Sequence, residues 1–293
     1  MCESARCPNL AECYGRGVAT MMILGDTCTR NCRFCNVESS GVSGSPRSIF
    51  MQKHSYADQR EGRAIAEFAC DNGLSYLVIT SVTRDDLHDG GASHFTRVVS
   101  DIKSLSPELK IEVLVPDFKG CTSAVEQILL QPIEVFGHNM ETVKRLYPGI
   151  RPEADYSQSL EVLATAKRIA ARTQPSTRIA ASERIDGRIL IKSGILVGLG
   201  ETVEELTELF GELASVGLDI LTIGQYLQPS NKHLPVARYY EPDEFVSLER
   251  LALGRGIDVV KAGPYVRSSY LAEESFKLAE GSFCRSLHPD RGT

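Results

Sequence analysis

Short apolar runs alternate with amphipathic stretches along most of the chain. Seven apolar runs predict β-strands, at residues 19–24, 76–81, 111–115, 134–137, 189–197, 220–224 and 257–261. Seven stretches with helical spacing predict helices, at residues 57–71, 92–104, 123–130, 140–146, 156–171, 203–216 and 242–253. Strands that alternate with helices over such a length are typical of parallel βαβ units with right-handed crossovers.

Seven strands of this kind favour an α/β fold, a partial (β/α) barrel of the TIM type, over a long flat sheet. In barrels of this type, catalytic residues lie where strands end and helices begin. The polar segments 38–54 and 172–188 are predicted to be loops. No internal repeat or low-complexity tract interrupts the pattern.

The composition is that of an ordinary globular enzyme. Of the 293 residues, 42% are hydrophobic and 24% are charged. The net charge of −6 gives no general attraction to nucleic acid or to an anionic membrane. No run of about 18 apolar residues predicts a transmembrane helix. Because the chain opens with Met1 and Cys2, leaving no room for a leader, we expect a cytoplasmic protein, or an organellar matrix protein if a transit peptide is missing.

Cysteine placement is the strongest chemical signal. Six of the nine cysteines lie within the first 35 residues, which favours metal ligation over a disulfide scaffold. Cys28, Cys32 and Cys35 form a CxxxCxxC pattern after the first predicted strand. Three thiolates can hold a cubane iron–sulfur cluster and leave its fourth iron open to a chelating small molecule. The alternative, a zinc site, requires a second ligand pair downstream, and no such pair follows at a suitable distance.

A second cysteine triad precedes the first. Cys2, Cys7 and Cys13 are spaced by four and five residues, which does not dictate a geometry by itself. Because this triad ends fifteen residues before Cys28, it suggests a second cluster that is also short of one protein ligand.

With Phe34 directly before Cys35, the first triad resembles the signature of radical S-adenosylmethionine enzymes, and the two triads together resemble the lipoyl synthase family. Seven downstream segments are also similar to that family, at residues 25–28, 80–91, 138–142, 192–194, 198–201, 224–229 and 263–270. The resemblance therefore extends over nearly the whole chain.

The resemblance implies the architecture and the metal ligands. It implies a radical S-adenosylmethionine barrel at residues 21–262, flanked by segments 1–20 and 263–293 that carry an auxiliary cluster. One [4Fe–4S] cluster would be held by the first triad together with S-adenosylmethionine, and a second [4Fe–4S] cluster by the other triad. The Arg-Ser-Ser-Tyr segment would supply the fourth auxiliary ligand, Ser269, with Ser268 as the alternative. Ser269 and the neighbouring Arg267 are the predicted catalytic residues, and a simple salt bridge is the alternative for Arg267. An oxygen ligand is a poorer match for iron–sulfide than a thiolate, so its bond suits a cluster that must open.

The resemblance also implies contacts to S-adenosylmethionine from Asn139, Glu141, Lys192 and Gln225. Three of them have a plainer alternative: Asn139 and Glu141 at a helix N-terminus, and Lys192 facing solvent. For His138, a packed histidine is the preferred interpretation over an iron ligand. Cys70 is expected in the core, on the apolar face of its helix.

The activity that the resemblance implies is a sulfurtransferase reaction, the radical insertion of sulfur at C6 and C8 of a protein-bound octanoyl group. The partners would be octanoylated lipoyl carrier domains (2-oxoacid dehydrogenase E2 subunits and glycine cleavage H protein), an electron donor such as ferredoxin or flavodoxin, and an iron–sulfur assembly system. No nucleic acid or membrane partner is expected. The rival hypotheses are another radical sulfur-inserting enzyme, similar to biotin synthase or a methylthiotransferase, and a non-enzymatic iron–sulfur carrier.

Overall fold

The structure is a computed structural model that describes residues 7, 9–40, 60–172 and 188–287, with side chains as far as residue 281. Nine strands are present in this part of the chain: β1 Val18–Ile23, β2 Thr27–Cys28, β3 Glu38–Ser39, β4 Tyr76–Ser81, β5 Lys110–Leu114, β6 Val135–Gly137, β7 Leu190–Val197, β8 Ile220–Gln225 and β9 Val259–Gly263. Most of the two predicted loops at 38–54 and 172–188, and Cys2, lie outside the described residues.

Nine α-helices are described: α1 Leu10–Gly15, α2 Glu61–Asp71, α3 Ala92–Leu105, α4 Thr122–Leu129, α5 Tyr147–Ile150, α6 Tyr156–Arg172, α7 Val203–Ser215, α8 Pro242–Gly254 and α9 Ala272–Leu287. Two 3₁₀ turns lie at Phe118–Gly120 and Lys144–Leu146. Within the described residues, no helix combines the length and the apolar character needed to cross a lipid bilayer.

The main sheet has seven parallel strands in the order β1-β4-β5-β6-β7-β8-β9. From β4 to β9, each strand is connected to the next strand of the sheet by a crossover that contains a helix, as the alternating sequence pattern predicts. Among the described residues no ladder joins β9 back to β1, so the barrel stays open along that seam. The prediction of a partial (β/α) barrel is confirmed, and every predicted strand is present with its ends within two residues.

The two faces of each strand pack into different layers. On β4, Leu77 and Ile79 belong to the large core between strands and helices, while Tyr76 and Val78 point into the barrel. All four are fully buried, because helices cover the outer face and side chains fill the interior. Burying each large aliphatic side chain contributes about 1.5–3 kcal/mol, so both layers hold the strands in register.

The C-terminal helix α9 closes one end of the barrel. Its Ala272, Phe276 and Ala279 pack with a set of side chains that are mostly the first residues of their strands: Val18, Tyr76, Val78, Val135, Leu190, Ile220 and Val259. The Phe276 ring centroid lies 6.1 Å from that of Tyr76. Because α9 fills the end where strands begin, a cavity inside the barrel can open only where strands end. This helix was not among those that the sequence pattern predicts.

The predicted helix at 140–146 is wrong. Glu141 has a left-handed backbone, with φ 66°, and pairs with β7 as an isolated bridge to Ile195. Its N–H donates to the Gly194 carbonyl and its own carbonyl accepts from the Leu196 N–H. Because both backbone groups of Glu141 are bonded to β7, this residue cannot be part of a helix, and within the predicted range only the 3₁₀ turn Lys144–Leu146 forms. Cys70 also differs from expectation, because it is exposed on α2.

Candidate active site at the carboxyl ends of the strands

A cavity of about 670 Å³ opens at the end of the barrel where the strands finish. This volume is in the usual range for small-molecule and cofactor sites. Nine of the predicted site residues line it: Cys7, Cys28, Cys32, Cys35, Asn139, Glu141, Gln225, Arg267 and Ser269. Ser268 lines it as well, whereas Cys13 and Lys192 do not. Residues from both end segments and from six strands thus meet at one site.

The cysteine loop of the first triad is held by a buried arginine. Arg30 donates to both carboxylate oxygens of Asp85, at 2.7 and 3.0 Å, and to both of Asp117, at 2.7 Å each. The two carboxylates follow β4 and β5 in the chain. Thr29 adds a backbone hydrogen bond to the Thr83 carbonyl. The loop between Cys28 and Cys32 is therefore attached to two strand ends by bidentate, charge-assisted hydrogen bonds.

The three thiols of this loop are partly buried side by side at the cavity. Burial raises the pKa of Cys32, and burial raises the pKa of Cys35 to about 12. Among the described residues no group of three His, Cys, Asp or Glu side chains is arranged for a single metal ion. A cubane does not require the three thiols to converge on one ion, because each thiolate of such a cluster binds a different iron. Iron binding would also release the thiol protons that burial retains.

Asn139 and Glu141 form a polar wall of the cavity that the cysteines also line. The Asn139 side-chain amide donates to the Glu141 carboxylate, at 2.9 Å, and to the Ser268 hydroxyl, at 2.6 Å. Burial raises the pKa of Glu141. Asn139 and Ser268 are 129 positions apart in the sequence and are joined here by one hydrogen bond, so the polar wall includes the C-terminal segment.

Arg151 is a site residue that the sequence analysis missed. It lines the cavity and donates to the Asn139 carbonyl, at 3.2 Å, and to the Tyr147 hydroxyl, at 2.8 Å. Its Nε is buried with no hydrogen-bond partner among the described residues. Burial raises the pKa of Cys32, and the positive charge of Arg151 opposes that rise only in part. The arginine follows Tyr147-Pro-Gly-Ile, which carries no signal of a site in the sequence.

Gln225 lines the cavity, but its side chain also holds a loop. Its amide nitrogen donates to the carbonyls of Tyr226 and Arg238, at 3.0 and 3.1 Å. Its amide oxygen accepts from the Tyr240 N–H, at 3.0 Å. The loop between β8 and α8 is thereby fixed against the strand end.

Lys192 lies below the cavity, in the barrel interior. Its ammonium group is 2.8 and 3.0 Å from the two carboxylate oxygens of Glu112, which also accepts from the Tyr76 hydroxyl at 3.0 Å. Lys192 and Glu112 are almost fully buried, so the side chain neither faces solvent nor lines the cavity. The structure therefore differs from both sequence-based interpretations. An inward position near the start of β7 explains this placement, because inward side chains there meet neighbouring strands.

The C-terminal segment enters the barrel mouth next to two glycines. A Cβ on Gly224 would overlap the Val266 carbonyl oxygen, and a Cβ on Gly194 would come within 3.0 Å of the Ser268 hydroxyl. Arg267 donates to the Val266 carbonyl at 2.7 Å, and burial lowers its pKa. Because glycine has no side chain, Gly194 and Gly224 leave room for the Arg-Ser-Ser-Tyr segment.

The N-terminal segment packs along the C-terminal one. The Asn9 amide donates to the Tyr265 carbonyl at 2.6 Å, and the Tyr270 hydroxyl donates to Glu12 at 3.2 Å. These contacts bring Cys7 to the cavity that Ser268 and Ser269 line. Cys13 is partly buried on α1 without reaching the cavity.

Comparison with known sequences decides the family. The sequence profile of the Radical SAM superfamily matches residues 22–213. The lipoyl synthase of Caldicellulosiruptor saccharolyticus is 46% identical over 278 residues, which cover 95% of this chain and 88% of that protein. The chain belongs to the lipoyl synthase family. A lipoyl synthase from Bacteroides fragilis is 45% identical over 278 residues, covering 95% and 86% of the two chains.

Solved structures agree with this fold. Streptococcus suis SuiB bound to its precursor peptide has a TM-score of 0.56 at 12% identity and covers 87% of this chain and 52% of that one. Coproporphyrinogen III oxidase from Escherichia coli, a radical SAM enzyme, has a TM-score of 0.53 at 12% identity, with 81% and 51% covered. At such identities the similarity shows the barrel alone.

Membership of the lipoyl synthase family confirms the resemblance found in the sequence. It also confirms the prediction that the protein is a radical enzyme that inserts sulfur. The Radical SAM match implies a [4Fe–4S] cluster and S-adenosylmethionine. The cavity fits both, because it presents three neighbouring cysteines beside a polar wall of Asn139, Glu141 and Arg151. The individual residue assignments stay predictions.

Proposed function

We propose that the chain inserts two sulfur atoms, at C6 and C8, into an octanoyl group carried by a protein, and that a second [4Fe–4S] cluster supplies the sulfur. The observation that carries this proposal is the meeting of Cys7 and the serine pair 268–269 with the Cys28–Cys35 loop around one cavity. A barrel that only generated a radical would need the Cys28–Cys35 loop. It would not need Cys7 and the serine pair.

Cys28, Cys32 and Cys35 would hold the radical-forming cluster. When bound, that cluster and S-adenosylmethionine supply a 5′-deoxyadenosyl radical, which can attack an alkane C–H bond that offers nothing to acid–base catalysis. The clamp of Arg30 on two strand ends fixes the cysteine loop, so the cluster site is oriented toward the cavity.

Asn139, Glu141 and Arg151 would bind the polar parts of S-adenosylmethionine. A carboxylate acceptor, an amide and a cation lie together on the wall, and Arg151 retains an unused buried N–H among the described residues. Buried polar atoms of this kind are usually paired, so a ligand is the expected partner. Gln225 would act by holding the loop that follows β8. Lys192 lies outside this set because Glu112 occupies its ammonium group.

Cys2, Cys7, Cys13 and Ser269 would hold the auxiliary cluster. Ser268 already accepts a hydrogen bond from Asn139, which leaves Ser269 as the better candidate for the ligand. Arg267 is partly buried at the same place, where its positive charge can face a cluster that is anionic overall. The three-part division at residues 20 and 262 follows from this assignment.

The octanoyl chain would lie between the two clusters. Met22, Leu114 and Leu227 provide apolar wall at the strand ends, which suits an alkyl chain without polar groups. The partners would then be lipoyl carrier domains of 2-oxoacid dehydrogenase E2 subunits and of glycine cleavage H protein. Ferredoxin or flavodoxin would deliver the electron, and an iron–sulfur assembly system would rebuild the consumed cluster. A cytoplasmic location is part of the same proposal.

The test compares single variants after anaerobic reconstitution. We expect C7A to lose about half of the bound iron and all lipoyl product, yet to form 5′-deoxyadenosine, whereas C28A should form neither. The matched control is C70A, since Cys70 is exposed and lies outside the cavity. Sulfur insertion by C7A at the wild-type rate would contradict the proposal.

The serine pair is tested in the same way. We expect S269A to lose iron and product, and S268A to keep two clusters because its hydroxyl serves Asn139. The reverse result would transfer the ligand role to Ser268. Full iron content and activity in both variants would remove the serine ligand from the proposal.

A further inference from the structure

His138 presents a single unused hydrogen-bonding atom. It directly follows β6, is only 2% exposed and lines the cavity. Its Nδ1 lies 2.9 Å from the Val115 carbonyl oxygen. Because a carbonyl oxygen can only accept, Nδ1 must carry the proton. In a neutral imidazole the other nitrogen, Nε2, is then a bare acceptor.

The surroundings keep the ring neutral. The pKa of His138 is lowered from 6.5 to about 4, mainly by burial and also by the charges of Arg151 and Arg30, while the hydrogen bond to Val115 and the charge of Asp117 oppose the shift. At neutral pH the imidazole therefore stays uncharged, and Nε2 keeps its lone pair.

No group among the described residues satisfies this lone pair. Nε2 of His138 is buried and has no hydrogen-bond partner in that part of the chain. The Ser81 hydroxyl, which lines the same cavity at the end of β4, is likewise without a partner there. A hydroxyl can donate or accept, so it does not select a ligand group, whereas a bare imidazole nitrogen accepts only.

We infer that Nε2 of His138 accepts a hydrogen bond from an N–H or O–H group of a ligand in the cavity. This inference rests on the proposed function for the identity of the ligands. Two of them carry such groups: S-adenosylmethionine, with its hydroxyls and amino groups, and the acyl-lysine substrate, with its amide N–H. His138 is thus a binding residue that orients one of the two reactants. A ring protonated on Nε2 could not accept this hydrogen bond.

The tautomer can be measured without any cofactor. Protein labelled with ¹⁵N-histidine, in its metal-free reduced form, should show the His138 signals of a ring protonated on Nδ1 and bare on Nε2. The difference spectrum between wild type and H138Q assigns these signals among the six histidines. A ring protonated on Nε2 would overturn the inference.

Two substitutions separate the ring nitrogens. Asparagine at position 138 places an amide N–H near Nδ1, which keeps the bond to Val115 and removes the acceptor. Glutamine reaches further and places an amide oxygen near Nε2. We expect H138N to weaken the binding of one ligand roughly three- to tenfold, and H138Q to recover most of it. The control is H88N, because His88 is exposed.

Binding is measured by equilibrium dialysis on reconstituted protein in two arms, with S-adenosylmethionine alone and with an octanoyl-lysine peptide. The arm that changes in H138N identifies the donor. If neither Kd changes, the inference is overturned even where wild type makes lipoyl product. If wild type binds S-adenosylmethionine and never modifies the peptide, the proposed function fails instead, and the first arm still tests His138.

Discussion

Removing Arg30 should test whether the cysteine loop is held by charge. The guanidinium is 5% exposed and Asp117 is fully buried, so R30M would leave a buried carboxylate without its partner. Breaking a buried ion pair in this way costs about 3–5 kcal/mol, a large part of the roughly 5–15 kcal/mol that stabilises a typical domain. We expect R30M to lower the free energy of unfolding by that amount.

The pKa of Asp117 gives an independent magnitude. Burial alone would raise it, but the hydrogen bonds and charge of Arg30 outweigh burial and lower the pKa of Asp117 from 3.8 to about 2. A shift of this size corresponds to about 2 kcal/mol of stabilisation of the charged form. Because the folded pKa is the lower one, this stabilisation is present above pH 4 and is lost as the pH falls toward 2. In D117N that part of the acid sensitivity should be absent.

The assay is urea denaturation of the metal-free protein under anaerobic reducing conditions, repeated between pH 7 and pH 3. The control is R63M, because Arg63 forms only an exposed ion pair with Glu67 on α2, and such pairs contribute about 0.3–0.5 kcal/mol. If R30M destabilises the protein no more than R63M does, the loop is not held by this clamp and the reasoning fails.

Two further substitutions test the barrel mouth and the barrel interior. G224A should displace the C-terminal segment, since the new Cβ would overlap the Val266 carbonyl, and the reconstituted protein should lose only the iron of the auxiliary cluster. The control is G254A, because a Cβ at Gly254 would meet no atom within 4 Å. A full iron content in G224A would refute the close approach. K192M should destabilise the fold by about 3–5 kcal/mol by leaving Glu112 unpaired, while the Kd for S-adenosylmethionine in the folded fraction stays unchanged. A large increase in that Kd would return Lys192 to the cofactor site.

The strands could be predicted because each is a nearly continuous apolar run. All but one residue of β7 are fully buried, as expected for a parallel strand covered on both faces. The predicted site residues that follow strands or belong to the cysteine triads mostly reach the cavity, because parallel strands end at one edge.

Contacts between distant segments could not be predicted in this way. The Lys192–Glu112 pair joins inward positions 80 residues apart, and no local pattern distinguishes an inward lysine from an exposed one. Arg151 lies in a short irregular segment without periodicity. The hydrogen bond between Asn139 and Ser268 depends on how the C-terminal segment enters the barrel, which the strand pattern does not encode.

The open seam between β1 and β9 explains why the chain's two ends hold the second set of proposed ligands. The segment before β1 runs from Cys7 at the cavity to Arg16, which pairs with Glu274 of α9 at the closed end of the barrel. The segment after β9 runs the same way, from the cavity to α9. The two segments also contact each other, through Asn9 with Tyr265 and Glu12 with Tyr270. Because the sheet ends at β1 and β9 among the described residues, the segments next to these two edge strands can meet at the cavity, and the two-cluster arrangement that we propose uses this meeting.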